Sequence, residues 1–168
     1  MAETGTERPP RRSPFGTPPP GDVRARGAIV QVDGAGAAQA AAVCEDGSIE
    51  MLAIGPDRWL AVSDRPPEAV RRAVAAAGEA AACTDLTHAR VVLRVAGPDA
   101  RDRLSRGCPM DLDSVEEGGA AATMLGPFEV VIRRDRGADA FEVYVSRSVA
   151  RSAREWLQGS APAEPPTP

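Results

Sequence analysis

The 168 residues predict an α+β fold, with strands and helices interleaved with hairpins and the helices mostly on one face of a sheet. Three observations point there. Short β-branched runs recur between turn signals, as in Ala28–Val32 and Ala89–Val95. Helical apolar spacing is confined to a few segments, opened by proline or closed by glycine. Phe128–Arg133 and Ala140–Val145 face each other across the loop at 135–139, the pattern of paired strands.

The elements follow in order. Residues 1–26 read as a disordered Pro/Arg-rich arm, because Pro-Pro, Arg-Arg and Pro-Pro-Pro leave almost nothing to bury. Residues 27–158 form a single α+β domain and 159–168 a second disordered tail. Within the domain Ala28–Val32 is a strand, Ser48–Ile54 another after the Asp46-Gly47 turn, and Arg58–Ser63 a third. Pro66-Pro67 opens a helix with Val70, Val74 and Ala77 on one face and Gly78 at its end. In Ala89–Val95, Val91, Leu93 and Val95 alternate with Val92 and Arg94. Gly97-Pro98 starts a short helix that buries Ala100 and Leu104 and stops at Gly107. The last helix runs from about Arg147 to Leu157, with Val149, Ala153, Trp156 and Leu157 as its apolar stripe.

Composition excludes much chemistry. All twenty basic residues are arginine, so there is no lysine for a Schiff base or a P-loop. His88 is the one histidine, which removes multi-histidine metal sites. The net charge is −4, and the acids concentrate in residues 27–159, against nucleic-acid binding. Cys44, Cys83 and Cys108 are odd in number and lack CxxC spacing. With no apolar leader core and no apolar run of about 20 residues, the expectation is a cytoplasmic protein with no membrane contact.

Three groups of residues invite a chemical reading. Gly34-Ala-Gly36-Ala-Ala-Gln39 follows a strand as a dinucleotide loop would, but Gln39 stands where close helix packing needs a small residue. Asp85 and His88 could act with Ser105 or Cys108 as nucleophile, yet no GxSxG elbow is present and nothing brings the groups together. Arg101, Arg103 and Arg106 are an anion-binding candidate that also reads as a helix face paired locally with Asp102. The structural reading is the simpler one in each case, and no catalytic, cofactor-binding or metal-binding residue is assigned.

A wider pattern then emerges. Gly55-Pro-Asp-Arg-Trp59-Leu, Asp85-Leu-Thr-His88-Ala-Arg90-Val, Gly97-Pro-Asp-Ala-Arg101-Asp-Arg-Leu104 and Gly107-Cys108-Pro109-Met-Asp111-Leu112 occur in that order. Gly119-Ala-Ala-Ala-Thr123, Asp139-Ala-Phe141-Glu-Val-Tyr-Val145-Ser-Arg147-Ser148 and Glu155-Trp156-Leu157 follow. Together these resemble the gamma subunit of heterotetrameric sarcosine oxidase over about residues 50 to 157. Asp113 stands where that family tends to have histidine, and Val115 where it tends to have phenylalanine.

The resemblance implies a fold related to the folate-binding domains of the glycine-cleavage T-protein, an aminomethyltransferase. It implies a cytoplasmic complex with alpha, beta and delta subunits that oxidises sarcosine to glycine and hydrogen peroxide, yielding formaldehyde or methylene-tetrahydrofolate. FAD, FMN, NAD, folate and zinc would belong to the partner subunits and none to this chain, which would stabilise the assembly by packing on alpha without catalysing. Two alternatives stand beside it. One is a gamma-like subunit of a related N-methyl amine demethylase. The other is a stand-alone folate-binding or one-carbon-transfer protein, in which Arg90, Arg94 or Arg101 would hold a glutamate tail.

Overall fold

Residues 140–145 are buried on both faces of one strand, and the architecture follows from what covers each face. The computed structural model describes residues 22–24, 26–34, 48–76, 82–137 and 139–159. Its strands are β1 (Asp22–Arg24), β2 (Ala28–Asp33), β3 (Ile49–Gly55), β4 (Arg58–Ser63), β5 (Ala82–Asp85), β6 (Arg90–Ala96), β7 (Ala120–Leu125), β8 (Phe128–Arg134) and β9 (Ala140–Ser146). Its α-helices are α1 (Pro67–Ala76), α2 (Ala100–Ser105) and α3 (Ala150–Gly159).

The strands form two antiparallel sheets, ordered β1-β6-β9-β8-β7 and β3-β4-β2-β5. Each sheet carries its helices on one face and meets the other sheet on its opposite face. On the outer face of the five-stranded sheet, Leu93, Val95, Phe141, Val143 and Val145 pack under Leu104, Ala153 and Leu157. On the outer face of the four-stranded sheet, Ala28, Val30, Val32 and Ala61 pack under Val70 and Val74. Between the sheets lie Ile29, Leu52, Leu60 and Val62 on one side and Val92, Val131 and Tyr144 on the other. Two-sided burial explains why β6 mixes valine into both phases of its alternation.

The helix ends obey local chemistry. Pro67 begins α1, where its missing N–H costs no hydrogen bond, and Glu68 in the first turn faces the helix dipole favourably. Val70 and Val74, one turn apart, are its buried contacts; Ala77 and Gly78 lie outside the described residues. The chain turns into α2 at Gly97, which holds a φ of 111°, and leaves at Gly107 with a hydrogen bond of 3.1 Å from its N–H to the Leu104 carbonyl. A 3₁₀ turn, Arg147–Val149, leads into α3.

Several expectations need correction. Asp22–Arg24 pairs with β6 in register Asp22↔Arg94, so the last part of the predicted arm is a sheet strand. The rest of that arm lies outside the described residues, as do residues 160–168 of the predicted tail, whereas Gly159 closes α3. β5 and β7 were not expected as strands. The single expected sheet is a pair of sheets.

Candidate functional site

The alternation along β9 sends Phe141, Val143 and Val145 toward the helices and Glu142 and Tyr144 into the space between the sheets. Glu142 is therefore a carboxylate with no solvent exposure. Its Oε1 accepts from Arg24 Nη1 at 2.5 Å and from Arg26 Nη2 at 2.8 Å. Its Oε2 accepts from Arg26 Nη2 and from the Tyr144 hydroxyl, both at 2.7 Å, with Arg133 Nη1 at 3.4 Å. The network widens through Arg133, which donates to Glu50 at 2.8 Å and to Asp135 at 3.1 Å. Arg94 reaches Asp135 at 3.2 Å.

Titration behaviour follows from these contacts. Burial alone would raise the Glu142 pKa, but the bonds from Tyr144 and Arg26 and the charges of Arg26 and Arg24 outweigh it and hold it below the usual value. Burial likewise opposes the charge on Arg26, and its bond to Glu142 overcomes that and raises its pKa. Burial first, then the Glu142 charge, pushes the Tyr144 phenol up.

Beside this network, at the edge where β1 joins β6, lies a cavity of about 260 Å³. Arg24, Arg26, Arg90, Arg147 and His88 contribute its polar wall, and Val23, Ile29, Val91 and Val92 its apolar wall. Arg147 Nε donates to the His88 carbonyl at 2.5 Å, and Thr87 Oγ1 accepts from the Ile29 N–H at 3.0 Å, so the β5–β6 turn is tied to both neighbouring segments. A second hollow of about 390 Å³ sits where β3 approaches β7, lined largely by Met51, Trp59, Met110, Val115, Ala120 and Ala121.

The groups singled out in the sequence do not converge. Asp85 accepts from the Thr87 N–H at 2.9 Å, and its bonds from Thr87 lower its pKa, so it works as a turn former. His88 lines the cationic cavity. Ser105 donates to the Asp102 carbonyl at 3.0 Å on the exposed end of α2. Cys108 is buried under the helices, 3.7 Å from Thr123 Oγ1. Gly34 is described, and the rest of the expected nucleotide loop, with Cys44, lies outside the described residues. Arg101 pairs with Asp113 and stands 5.8 Å from the centre of the Phe141 ring, and Arg103 pairs with Asp99. Of the three arginines considered for a carboxylate tail, Arg94 is thus committed to Asp135 and Arg101 to Asp113, while Arg90 lines the cavity.

Among the described residues no cluster of three or more His, Cys, Asp or Glu could hold a metal ion, and no helix is long and apolar enough to cross a membrane. The residues that sequence reasoning missed are Glu142, Arg24, Arg26 and Arg133. The one local hint concerned Glu142, which shares a strand face with the sole tyrosine in Phe141-Glu-Val-Tyr-Val145.

The sequence matches no protein-family model and no curated protein. The fold is similar to that of a solved chain of the heterotetrameric sarcosine oxidase from Corynebacterium sp. U-96, determined in complex with pyrrole 2-carboxylate. The similarity has a TM-score of 0.71, at 22% sequence identity over 84% of this chain and 85% of that chain.

Proposed function

We propose that this chain is a gamma-type subunit of a heterotetrameric sarcosine oxidase complex, or of a related complex acting on another N-methyl amine. The observation that carries the reading is the shared fold across 84% of one chain and 85% of the other. Shares so nearly equal put the two chains at about the same length, which suits a small subunit of that assembly. The ordered sequence elements described above support the same reading from an independent direction.

In this reading the chain is not catalytic. Asp85, Ser105 and Cys108 are each engaged by their own surroundings, and the titratable network at Glu142 is closed around itself. Its role is to pack on the alpha subunit and stabilise the assembly. The partners would bind the flavins, NAD, folate and zinc and perform the oxidation. Sarcosine would lose two electrons from its N-methyl carbon to oxygen through flavin, and water would release glycine and formaldehyde, with hydrogen peroxide as the reduced product.

Co-expression of the tagged full chain with its neighbouring genes, followed by pull-down, tests this. The expected outcome is a yellow complex that consumes oxygen with sarcosine or another N-methyl amine. A colourless chain that stays monomeric beside those partners would overturn it.

A further inference from the structure

We propose that the cavity at the β1–β6 edge binds a small oxyanion ligand, a carboxylate or a phosphate. Four arginines and the sole histidine line it, and among the described residues no acid does, in a chain whose net charge is −4. Such a concentration of one sign in an acidic protein needs a counter-charge. Glu142 supplies part of it from beneath, to Arg24 and Arg26. It does not reach the remaining two.

One guanidinium group carries an unmet demand. The Arg26 side chain is only 8% exposed and its terminal nitrogens are paired with Glu142 and Asp64, so it adds positive charge to the wall without a donor open to the cavity. Arg90 is half-buried on β6 and borders this cavity as well as two hollows that Glu129 also lines, and among the described residues none accepts from its guanidinium or pairs with it. An arginine fork matches the oxygen spacing of carboxylate and phosphate alike. The low-polarity wall beside it strengthens the attraction and suits a short hydrocarbon body. At about 260 Å³ the cavity is smaller than typical cofactor pockets, so the ligand is a small acid rather than a nucleotide.

His88 makes the test direct, because its ring protons give the only imidazole signals of the chain. The full chain is titrated with succinate, inorganic phosphate and neutral succinamide at constant ionic strength, and the His88 resonances are followed. Saturable shifts with succinate or phosphate but not with succinamide are expected, and the tighter of the two anions identifies the source chemistry. Arg90→Gln should weaken that binding by about tenfold or more. Arg151→Gln, which removes an exposed arginine paired with Glu155 on α3, should leave it unchanged. Absence of saturation by both anions, or the same affinity in the Arg90→Gln chain, overturns the proposal. These outcomes do not depend on whether the chain assembles with partners.

Discussion

Arg26 and Glu142 stand 116 residues apart in the chain, yet one terminal nitrogen of the arginine lies 2.8 and 2.7 Å from the two carboxylate oxygens. The pair fastens the segment after β1 to the centre of the five-stranded sheet, where water hydrates neither charge.

Removing the carboxylate should therefore be expensive. Glu142→Gln leaves Arg26, with a side chain 8% exposed, without its buried anion, while Arg133 keeps Glu50 and Asp135. A loss of about 3–5 kcal/mol in unfolding free energy is expected from denaturant titration, because a buried charge loses its partner. A loss below about 1 kcal/mol would show that the cluster is hydrated.

The same carboxyl sets an acid limb. Its pKa is lower folded than unfolded, where it lies near the ordinary value of about 4.3. Its contribution to stability is thus complete above that value and is lost as pH falls through the folded pKa. Denaturation midpoints measured from pH 7 downward should drop steeply in the parent chain and less steeply in Glu142→Gln.

Tyr144 predicts the opposite limb. Its phenol is the chain's only one, and its folded pKa is raised above the unfolded value of about 10. The neutral form is favoured by folding, so this stability is present below that pH and is lost as pH rises past it. Phenolate absorbance should appear together with unfolding, not before it.

Gly107 and Gly126 make room for an indole. A Cβ on Gly107 would overlap the Trp156 ring, and Gly126, with a φ of 58°, holds its N–H 2.9 Å from the Gly107 carbonyl. Gly107→Ala should cost about 1–3 kcal/mol through overpacking. Adding Trp156→Leu should return part of it, so that a double-mutant cycle yields a coupling energy clearly different from zero.

Truncation offers a further check on the arm. Deleting residues through 26 removes β1 and two of the three arginines around Glu142. The shortened chain should melt well below the full chain, and Glu142→Leu in the shortened chain should restore part of the loss by removing the orphaned charge.

Much of the fold was legible because its strands carry strong local patterns. Val91, Leu93 and Val95 declare β6, and the spacing of Ala153 and Leu157 declares the buried stripe of α3. β7 was not legible, since Ala-Ala-Ala-Thr-Met offers little apolar contrast and three of its side chains are only partly covered. β5 has four residues at a sheet edge, too few for a period to show. The second sheet was hidden for a different reason. Which strands join is a matter of long-range pairing, and an apolar residue reads the same whether a helix or a sheet covers it.

The charged network was less legible still. On a strand with one dry face, Glu142 would belong to the wet one, and only the second sheet makes its position dry. Arg24 and Arg26 follow a proline-rich stretch that has no apolar periodicity, and so look like part of it. The cationic cavity draws on residues 26, 90 and 147, a set no local window contains.

The sheet order has a consequence in time. β3 with β4, β7 with β8 and β8 with β9 are hairpins joined by short turns, and such pairs close within microseconds. β1 reaches its partner β6 across the whole four-stranded sheet, β2 to β5, and Arg24 meets Glu142 over 118 residues. Loop-closure entropy places that event last. The carboxylate can stay hydrated until the N-terminal strand arrives, so the cluster acts as a late clasp that slows opening more than it speeds closing.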